Sequence, residues 1–124
     1  EMKFMNMPKG THRIATARVK WSTSYQRKHG IRCGKARLQK PGMAESLQLL
    51  AKRVFHLLQM NGYGRIDIRL DDDGQPWVLE ANANPQLAYG EDFAESAHYD
   101  GMPYETLLQN ILNVGLQWKA DRAG

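Results

Sequence analysis

The chain has 124 residues, of which 42% are hydrophobic and 24% charged, the composition of an ordinary globular domain. No apolar run approaches the roughly 20 residues that a membrane-spanning helix needs, and the first ten residues lack the apolar core of a signal peptide. Cys33 is the single cysteine, so a disulfide framework within the chain is excluded and a reducing cytoplasmic location is expected.

The net charge of +4 conceals a strong asymmetry along the chain. Residues 1–40 hold eleven Lys and Arg against Glu1 alone, a net charge of +10. Residues 41–124 hold six Lys and Arg against twelve Asp and Glu, a net charge of −6. This split predicts an anionic partner for the first part, either a nucleic acid or, as a family resemblance given below implies, the triphosphate of ATP, unless the basic residues simply form a solvated face.

The chain begins with two predicted strands. Met2 and Phe4 are apolar positions that indicate a short strand near the N-terminus. From Arg13 to Trp21 apolar and polar residues alternate, which is the period of a strand. This second strand would place Lys20 on its polar face, where it is either an exposed strand lysine or, if the strand joins the sheet formed further along the chain, within reach of phosphates bound there.

Residues 22–42 are predicted to be irregular and basic, anchored to the core by Tyr25 and Ile31, with His29 on the surface. Basic residues with interleaved aromatic residues are suited to a phosphate backbone. Only Trp21 and Tyr25 supply aromatic rings here, and no RNA-binding or zinc-finger pattern accompanies them. The segment therefore keeps a nucleic-acid interface as an alternative rather than as the leading interpretation.

Residues 43–60 are predicted to form an amphipathic helix that ends at Asn61 and Gly62, because glycine readily adopts the left-handed conformation after a last turn. Its apolar positions recur at spacings of three and four residues. They are Leu47, Leu50, Ala51, Val54, Leu57 and Leu58, with Phe55 widening the stripe.

Residues 64–85, with the sequence GRIDIRLDDDGQPWVLEANANP, are predicted to form a β-hairpin. Apolar and polar residues alternate in 65–70 and again in 77–81. Asp73 and Gly74 between the two runs predict a two-residue type I′ turn. That turn fixes the register, with Leu70 opposite Trp77, Ile68 opposite Leu79 and Ile66 opposite Ala81.

The same register places Asp67 opposite Glu80 and Arg65 opposite Asn82 on the polar face. Directly opposed Cβ atoms lie about 4.5–5.5 Å apart, so two carboxylates there require a cation between them. Carboxylate and amide oxygens are suited to Mg²⁺ that also keeps water and phosphate ligands. The alternative is a solvated face on which the acids pair with Arg65 and Arg69.

Two helices are predicted after the hairpin. Pro85 ends the second strand, and residues 86–91 form a loop beside the hairpin. Residues 91–99 indicate a short helix that turns Phe93, Ala94 and Ala97 inward and is ended by Asp100–Gly101. A last helix begins near Pro103. Its expected apolar stripe consists of Tyr104, Leu107, Leu108, Ile111, Leu112 and Trp118.

The hairpin, read as RIDIRLDDDGxPxVLEANxNP, resembles the metal-binding hairpin of ATP-grasp ligases of the D-alanine–D-alanine ligase-like branch. The resemblance implies that Asp67, Glu80 and Asn82 hold two Mg²⁺ (or Mn²⁺) ions under the phosphates of ATP. It implies that Arg65 stabilises the transferring phosphoryl group and then the tetrahedral intermediate. The Val-Lys-Trp step resembles a position at which a lysine contacts phosphate, which makes Lys20 a candidate ATP ligand.

The resemblance also implies an α+β fold, an antiparallel β-sheet with helices packed on one face, as in the C-terminal metal-binding subdomain of an ATP-grasp domain. The implied activity is ATP-dependent ligation of a small-molecule carboxylate to an amine through an acyl phosphate. The N-terminal substrate domain and the subdomain that covers the nucleotide have no counterpart in residues 1–124. We therefore expect this chain to act with the remainder of an ATP-grasp protein and to be inactive alone.

Two positions depart from the family pattern. Gln86 stands where D-alanine–D-alanine ligases have a glycine, and a side chain is tolerable there because the family uses the backbone N–H. Glu91 stands where those enzymes have a serine that helps to hold the carboxylate of the second D-alanine, and a protein carboxylate would repel that group. This predicts a different acceptor, a cationic or neutral amine.

Two other functions stay open on the sequence. One is a nucleic-acid-binding module that uses the basic residues 1–40. The other is a non-catalytic ATP-grasp pseudoenzyme fragment that keeps the hairpin as a scaffold.

Overall fold

The computed structural model describes residues 1–38 and 40–118 and divides into two compact units, Glu1–Arg37 and Leu38–Gly124. Each unit contains one two-stranded antiparallel sheet, and helices make up most of the remaining regular structure, which confirms the predicted α+β class. In chain order the elements are β1 (Met2–Phe4), α1 (Ala17–Trp21), α2 (Thr23–His29), β2 (Ile31–Cys33), α3 (Met43–Leu57), β3 (Arg65–Leu70), β4 (Pro76–Asn82), α4 (Asp92–Tyr99) and α5 (Tyr104–Gln117).

None of the helices in the described part of the chain is both long and apolar enough to cross a membrane.

The first unit confirms the strand near the N-terminus but corrects the second one. Residues 17–21 form the helix α1, not a strand, and Lys20 lies on that helix. The side-chain oxygen of Thr16 accepts a hydrogen bond from the Val19 backbone N–H at 3.3 Å, so Thr16 caps the first turn. β1 pairs instead with β2, which lies inside the segment expected to be irregular.

Helix α2 gives the basic segment a regular structure that the sequence did not indicate. Ser22 caps its start by accepting from the Tyr25 N–H at 3.3 Å, and Gly30 ends it with a positive φ of 60°. His29, expected on the surface, is only 8% exposed. Its Nδ1 atom lies 2.9 Å from the Asn6 carbonyl oxygen, and its ring packs 4.3 Å from that of Tyr25.

Helix α3 packs against both strands of the β3–β4 hairpin. Leu47, Leu50 and Val54 are half-buried on the inner side. The predicted stripe is wrong at the end of the helix, because Leu57 is 82% exposed and Leu58 is also exposed.

The end of α3 comes earlier than the sequence indicated. Gln59 adopts a positive φ of 53°, and its N–H donates to the His56 carbonyl at 3.0 Å. The Met60 N–H donates to the Phe55 carbonyl at 3.0 Å, which completes a Schellman motif. The left-handed residue that ends the helix is therefore Gln59. Gly62, with φ 78°, lies in the bend that follows.

The last two helices pack against each other and largely match their predicted positions. Ala94 of α4 and Leu107 of α5 are buried, and Pro85 is fully buried beside the hairpin exit. Gly101, with φ 88°, follows the end of α4 as expected. The predicted α5 stripe is wrong in part, because Leu108, Leu112 and Trp118 are exposed.

Candidate functional site

The tip of the hairpin is a three-residue loop, which corrects the predicted two-residue type I′ turn. The Gly74 N–H donates to the Asp71 carbonyl at 3.0 Å, and the Asp71 N–H donates to the Gln75 carbonyl at 3.1 Å. Gly74 has a φ of 83°, so the loop is a type I turn followed by one left-handed residue. An Asp-Gly pair suits either turn, and the sequence alone did not separate them.

The longer loop shifts the register at the tip by one residue. Leu70 therefore lies opposite Pro76 and Ile68 opposite Val78, so the predicted pairs of Leu70 with Trp77 and Ile68 with Leu79 are wrong. Trp77 and Leu79 are 59% and 66% exposed.

A bulge next to Asp67 then absorbs the extra residue and restores the predicted register. Beyond it, Ile66 lies opposite Ala81, as expected. Arg65 lies opposite Asn82, and Asp67 lies opposite Glu80. The pairing is therefore as predicted at the candidate site and wrong only near the tip.

A two-point ion pair between Arg65 and Asp67 forms the centre of the candidate site. The Arg65 Nε atom donates to Asp67 Oδ1 at 2.7 Å, and Nη2 donates to Oδ2 at 3.2 Å. The two side chains are 26% and 38% exposed. Both carboxylate oxygens of Asp67 are thus already engaged by the cation two residues away on the same strand.

The surroundings of Arg65 are strongly acidic. Its hydrogen bond to Asp67 is the largest influence and raises its pKa, against a smaller opposing effect of burial. The negative charges of Asp67, Asp92 and Glu80 raise the pKa of Arg65 further. Asp92, in the first turn of α4, was not identified as a site residue from the sequence, because nothing local connects it with a strand 27 residues earlier.

Asn82 is held in place by the chain that follows it. Its Oδ1 atom accepts a hydrogen bond from the Asn84 N–H at 2.9 Å. The Tyr63 hydroxyl donates to Asn84 Oδ1 at 3.4 Å, and the Tyr63 ring lies 5.8 Å from that of Phe93. These contacts brace the end of β4 against the segment before β3, and the Asn84 N–H holds the Asn82 amide oxygen.

Gly64 permits this close approach of the two strands. A methyl group at this position would lie 2.4 Å from the terminal carbon of Met60 and 3.2 Å from the Asn82 carbonyl oxygen. Since a Cβ atom does not fit at the first of these distances, a larger residue would push the Asn82 backbone or Met60 away.

Asp71 has a structural role at the hairpin tip that the sequence analysis missed. Its Oδ1 atom accepts from the N–H groups of Asp73 and Gln75 at 3.1 and 2.8 Å, and its Oδ2 accepts from Trp77 Nε1 at 2.9 Å. The Trp77 hydrogen bond, followed by that from Gln75, lowers the pKa of Asp71. An Asp three residues before the turn glycine was the available signal.

The donor set of the hairpin fits a hard divalent cation. Within residues 1–38 and 40–118, no group of three or more His, Cys, Asp and Glu side chains could hold a metal. The hairpin instead offers two carboxylates and an amide oxygen, from Asp67, Glu80 and Asn82. This set suits Mg²⁺ or Mn²⁺, which keep several water or phosphate ligands, rather than a cation enclosed by protein.

Three further residues were singled out from the sequence. Lys20 belongs to the first unit, where its carbonyl accepts from Gln26 Nε2 at 3.1 Å, so its role as an ATP ligand stays a prediction. Gln86 is exposed in the loop after Pro85. Glu91 is the residue that precedes α4, and its side chain makes no capping hydrogen bond to that helix.

The comparison with known families identifies the class to which this domain belongs. The chain belongs to the family described as D-ala D-ala ligase C-terminus, whose model matches residues 8–113. No solved structure matches the chain.

Several curated relatives match the chain over a little more than half of its length. It is 40% identical to a D-alanine–D-alanine ligase of Methylacidiphilum infernorum (isolate V4) over 76 residues, 60% of this chain and 25% of the relative. It is 35% identical to a D-alanine–D-alanine ligase of Bordetella avium (strain 197N) over 71 residues, 57% of this chain and 22% of the relative.

A third relative carries no stated activity. The uncharacterized protein y4sG of Sinorhizobium fredii (strain NBRC 101917 / NGR234) is 36% identical over 72 residues, 58% of this chain and 21% of the relative. The matches thus cover about a quarter or less of the length of these relatives.

Proposed function

We propose that this chain supplies the metal- and phosphate-binding hairpin of an ATP-grasp enzyme that joins a carboxylate to an amine through an acyl phosphate. The observation that carries the proposal is the register of the hairpin, in which Asp67 faces Glu80 and Arg65 faces Asn82. Membership of the ligase family supports the reaction class. Mg²⁺ or Mn²⁺ bound by these oxygens would neutralise the charge of the β- and γ-phosphates of ATP.

Arg65 has the chemistry to stabilise the phosphoryl group during its transfer. Its planar guanidinium presents paired N–H donors that match phosphate oxygens, and it stays charged at any physiological pH. In this structure the same donors are occupied by Asp67. When an Asp67 oxygen turns away toward a cation, Arg65 loses an acceptor, and its N–H groups become available to an oxyanion of the substrate.

Glu91 supports the prediction that the acceptor is not D-alanine. Its carboxylate is not used to cap α4, so it is available at the start of that helix. A negative charge there attracts a cationic amine, tolerates a neutral one and repels an acceptor that carries a free carboxylate. Purified full-length enzyme that makes D-alanyl-D-alanine efficiently would contradict this assignment.

The remaining parts of the reaction are assigned to the rest of the protein. The chain spans about a quarter or less of the length of its ligase relatives, so we propose that other segments cover the nucleotide and bind the carboxylate substrate. Lys20 would add a second cationic contact to the phosphates. The chain alone is expected to bind the nucleotide weakly and to show no turnover of ATP.

One observation favours the alternative in which the hairpin is only a scaffold. Asp67 already has an internal cation, since Arg65 engages both of its oxygens. A hairpin neutralised in this way is stable without any metal and could persist in a pseudoenzyme. The two functions differ in whether the carboxylates still bind a divalent cation.

Titration of Mn²⁺ followed by electron paramagnetic resonance separates these functions. The full chain is compared with Asp67→Asn and with a matched control, Asp72→Asn, which removes the same charge from the exposed turn of the same hairpin. We expect Asp67→Asn to lose at least tenfold in Mn²⁺ affinity and Asp72→Asn to change it by less than about twofold. Equal effects of the two variants, or no binding by the parent chain, would leave the hairpin as a scaffold.

A further inference from the structure

The first unit contains an open cleft of about 490 Å³ beside α2 and β2. Thr23 shares one face of α2 with Gln26 and Arg27, which lie three and four residues after it, and the other three lining residues follow directly after that helix. The lining consists of Thr23, Gln26, Arg27, Gly30, Ile31 and Arg32. A volume in this range accommodates a small ligand.

The two arginines of the cleft carry charges that no acid of the chain's described part neutralises. Neither Arg27 nor Arg32 takes part in an ion pair among residues 1–38 and 40–118. The only acidic side chain of the first unit, that of Glu1, lies 3.7 Å from Lys3 Nζ. The cleft therefore presents two guanidinium groups that form no ion pair with acids of this part of the chain and that suit an anionic ligand.

The β1–β2 sheet adds an independent reason to expect an anion. Lys3 lies directly opposite Arg32, and like charges at directly opposed positions destabilise an antiparallel pair. The positive charge of Lys3 is partly compensated, because its Nζ atom donates to the Lys35 carbonyl at 3.2 Å in addition to its contact with Glu1. Among the described residues, Arg32 forms no ion pair with an acid, so an anion in the cleft would offset the repulsion.

We propose that this cleft binds a small anion that carries phosphoryl groups, either a nucleotide tail or an inorganic phosphate. Two guanidinium groups offer the paired donors that phosphate oxygens accept, and Thr23 adds a neutral hydroxyl. The side chain of Gln26, another lining residue, is held by donating to the Val19 and Lys20 carbonyls at 2.8 and 3.1 Å. The cleft and the hairpin belong to different units, and this proposal does not depend on the hairpin's function.

The composition of the lining disfavours a single-stranded nucleic acid as the occupant. Sequence-tolerant binding of single strands uses aromatic side chains on which bases stack, and none of the six lining residues is aromatic. A phosphoryl group needs only the donors that are present.

The test is a titration of the full chain with pyrophosphate, followed by backbone amide shifts in two-dimensional NMR. EDTA removes divalent cations, so that the hairpin does not contribute, and salt of about 0.15 M limits long-range attraction to about 8 Å. We expect saturable shifts confined to residues 23–32. Arg27→Gln and Arg32→Gln should each weaken binding at least tenfold, as expected for loss of a charge-assisted contact.

Lys28→Gln is the matched control, because Lys28 neighbours Arg27 on α2, carries the same charge and does not line the cleft. It should change affinity by less than about twofold. Should either glutamine variant fail to fold, Arg32→Lys keeps the charge but loses the paired donors and should still weaken binding. A loss with Lys28→Gln as large as with the arginine variants would overturn the proposal.

Parallel titrations with ADP and with a short oligothymidylate identify the source of the phosphoryl group. Tighter binding of ADP than of pyrophosphate would assign the cleft to a nucleotide, and equal or weaker binding would assign it to inorganic phosphate. Shifts by oligothymidylate that spread over the whole basic unit, without saturable binding of pyrophosphate, would overturn the proposal in favour of a nucleic-acid interface.

Discussion

The hairpin of the second unit and the cleft of the first unit treat charge in opposite ways. In the hairpin, Arg65 and Asp67 neutralise each other through two hydrogen bonds. In the cleft, Arg27 and Arg32 have no acid among the described residues of the chain to pair with. The acidic unit thus pairs Arg65 with an acid of its own, whereas the basic unit pairs neither arginine of the cleft with an acid of the described residues, so the arrangement of charges says more about ligands than their total.

The largest expected effect is a loss of stability in the hairpin that leaves the structure of the cleft unchanged. Gly64→Ala places a methyl group 2.4 Å from the Met60 terminal carbon and 3.2 Å from the Asn82 carbonyl, so the strands or Met60 must move. We expect the free energy of unfolding to fall by about 1–3 kcal/mol, as for other overpacked sites. Thermal unfolding measures the loss, and amide shifts in residues 1–37 should stay unchanged.

Gly115→Ala is the control for this substitution. Gly115 lies inside α5, and a methyl group there meets no atom within 4 Å. Replacing a glycine within a helix by alanine should raise stability by about 0.5–1 kcal/mol. If Gly64→Ala were as well tolerated as Gly115→Ala, the close approach at Asn82 would not be a constraint of the fold.

The second prediction concerns the ion pair of the hairpin. Removing the positive charge of Arg65 leaves Asp67 without a counter-charge, as the arginines of the cleft are without one among the described residues. Arg65→Met frees both oxygens of Asp67. In the absence of nucleotide, we expect Mn²⁺ to bind about two- to fivefold more tightly, since a partly exposed ion pair contributes about 0.2–1 kcal/mol. Isothermal titration calorimetry measures the change.

Arg65→Lys shows whether the effect comes from the paired donors or from net charge. It keeps the positive charge but loses the two-point geometry, so it should also bind Mn²⁺ more tightly than the parent chain, though by less than Arg65→Met. Affinity equal to that of the parent in both variants would show that Arg65 and a cation do not compete for Asp67.

The smallest expected effect is the pH dependence of the hydrogen bond between Asp71 and Trp77 at the hairpin tip. The Trp77 indole N–H lowers the pKa of Asp71 below its ordinary value of 3.8, so the folded carboxyl releases its proton more readily than the unfolded one. The stabilisation is therefore present above about pH 4 and is lost as the pH falls through the lower, folded-state pKa. The indole N–H resonance of Trp77 should shift below pH 4 in the parent chain.

Asp71→Asn should remove this pH dependence of the Trp77 resonance, whereas Asp72→Asn, in the same turn, should preserve it. A resonance that moves equally in all three proteins would mean that the indole does not report on Asp71.

The candidate site could be predicted because its strands carry a clear period of two and span several residues. The register at Asp67 and Arg65 came out as predicted although the turn was wrong. The extra loop residue at the tip is offset by the bulge next to Asp67, and neither feature has a sequence signal that separates it from its alternative.

The first unit was harder to predict because its elements are short and depend on single capping contacts. The alternation around Val19 fits a strand, yet the Thr16 and Ser22 side chains cap two helices of five and seven residues. The burial of His29 depends on the Asn6 carbonyl, 23 residues away, which no local pattern reveals. In the second unit, the left-handed residue that follows α3 is Gln59, a residue type that seldom takes positive φ.

The central claim, that the hairpin is a metal–phosphate site, is tested most directly by mapping where Mn²⁺ lies. Paramagnetic broadening of amide resonances is recorded on the full chain and on Asp67→Asn, with and without ADP. We predict broadening centred on Asp67, Glu80 and Asn82, strengthened by ADP and absent in the variant. Broadening centred elsewhere, or unchanged in Asp67→Asn, would contradict the assignment of this hairpin to a ligase site.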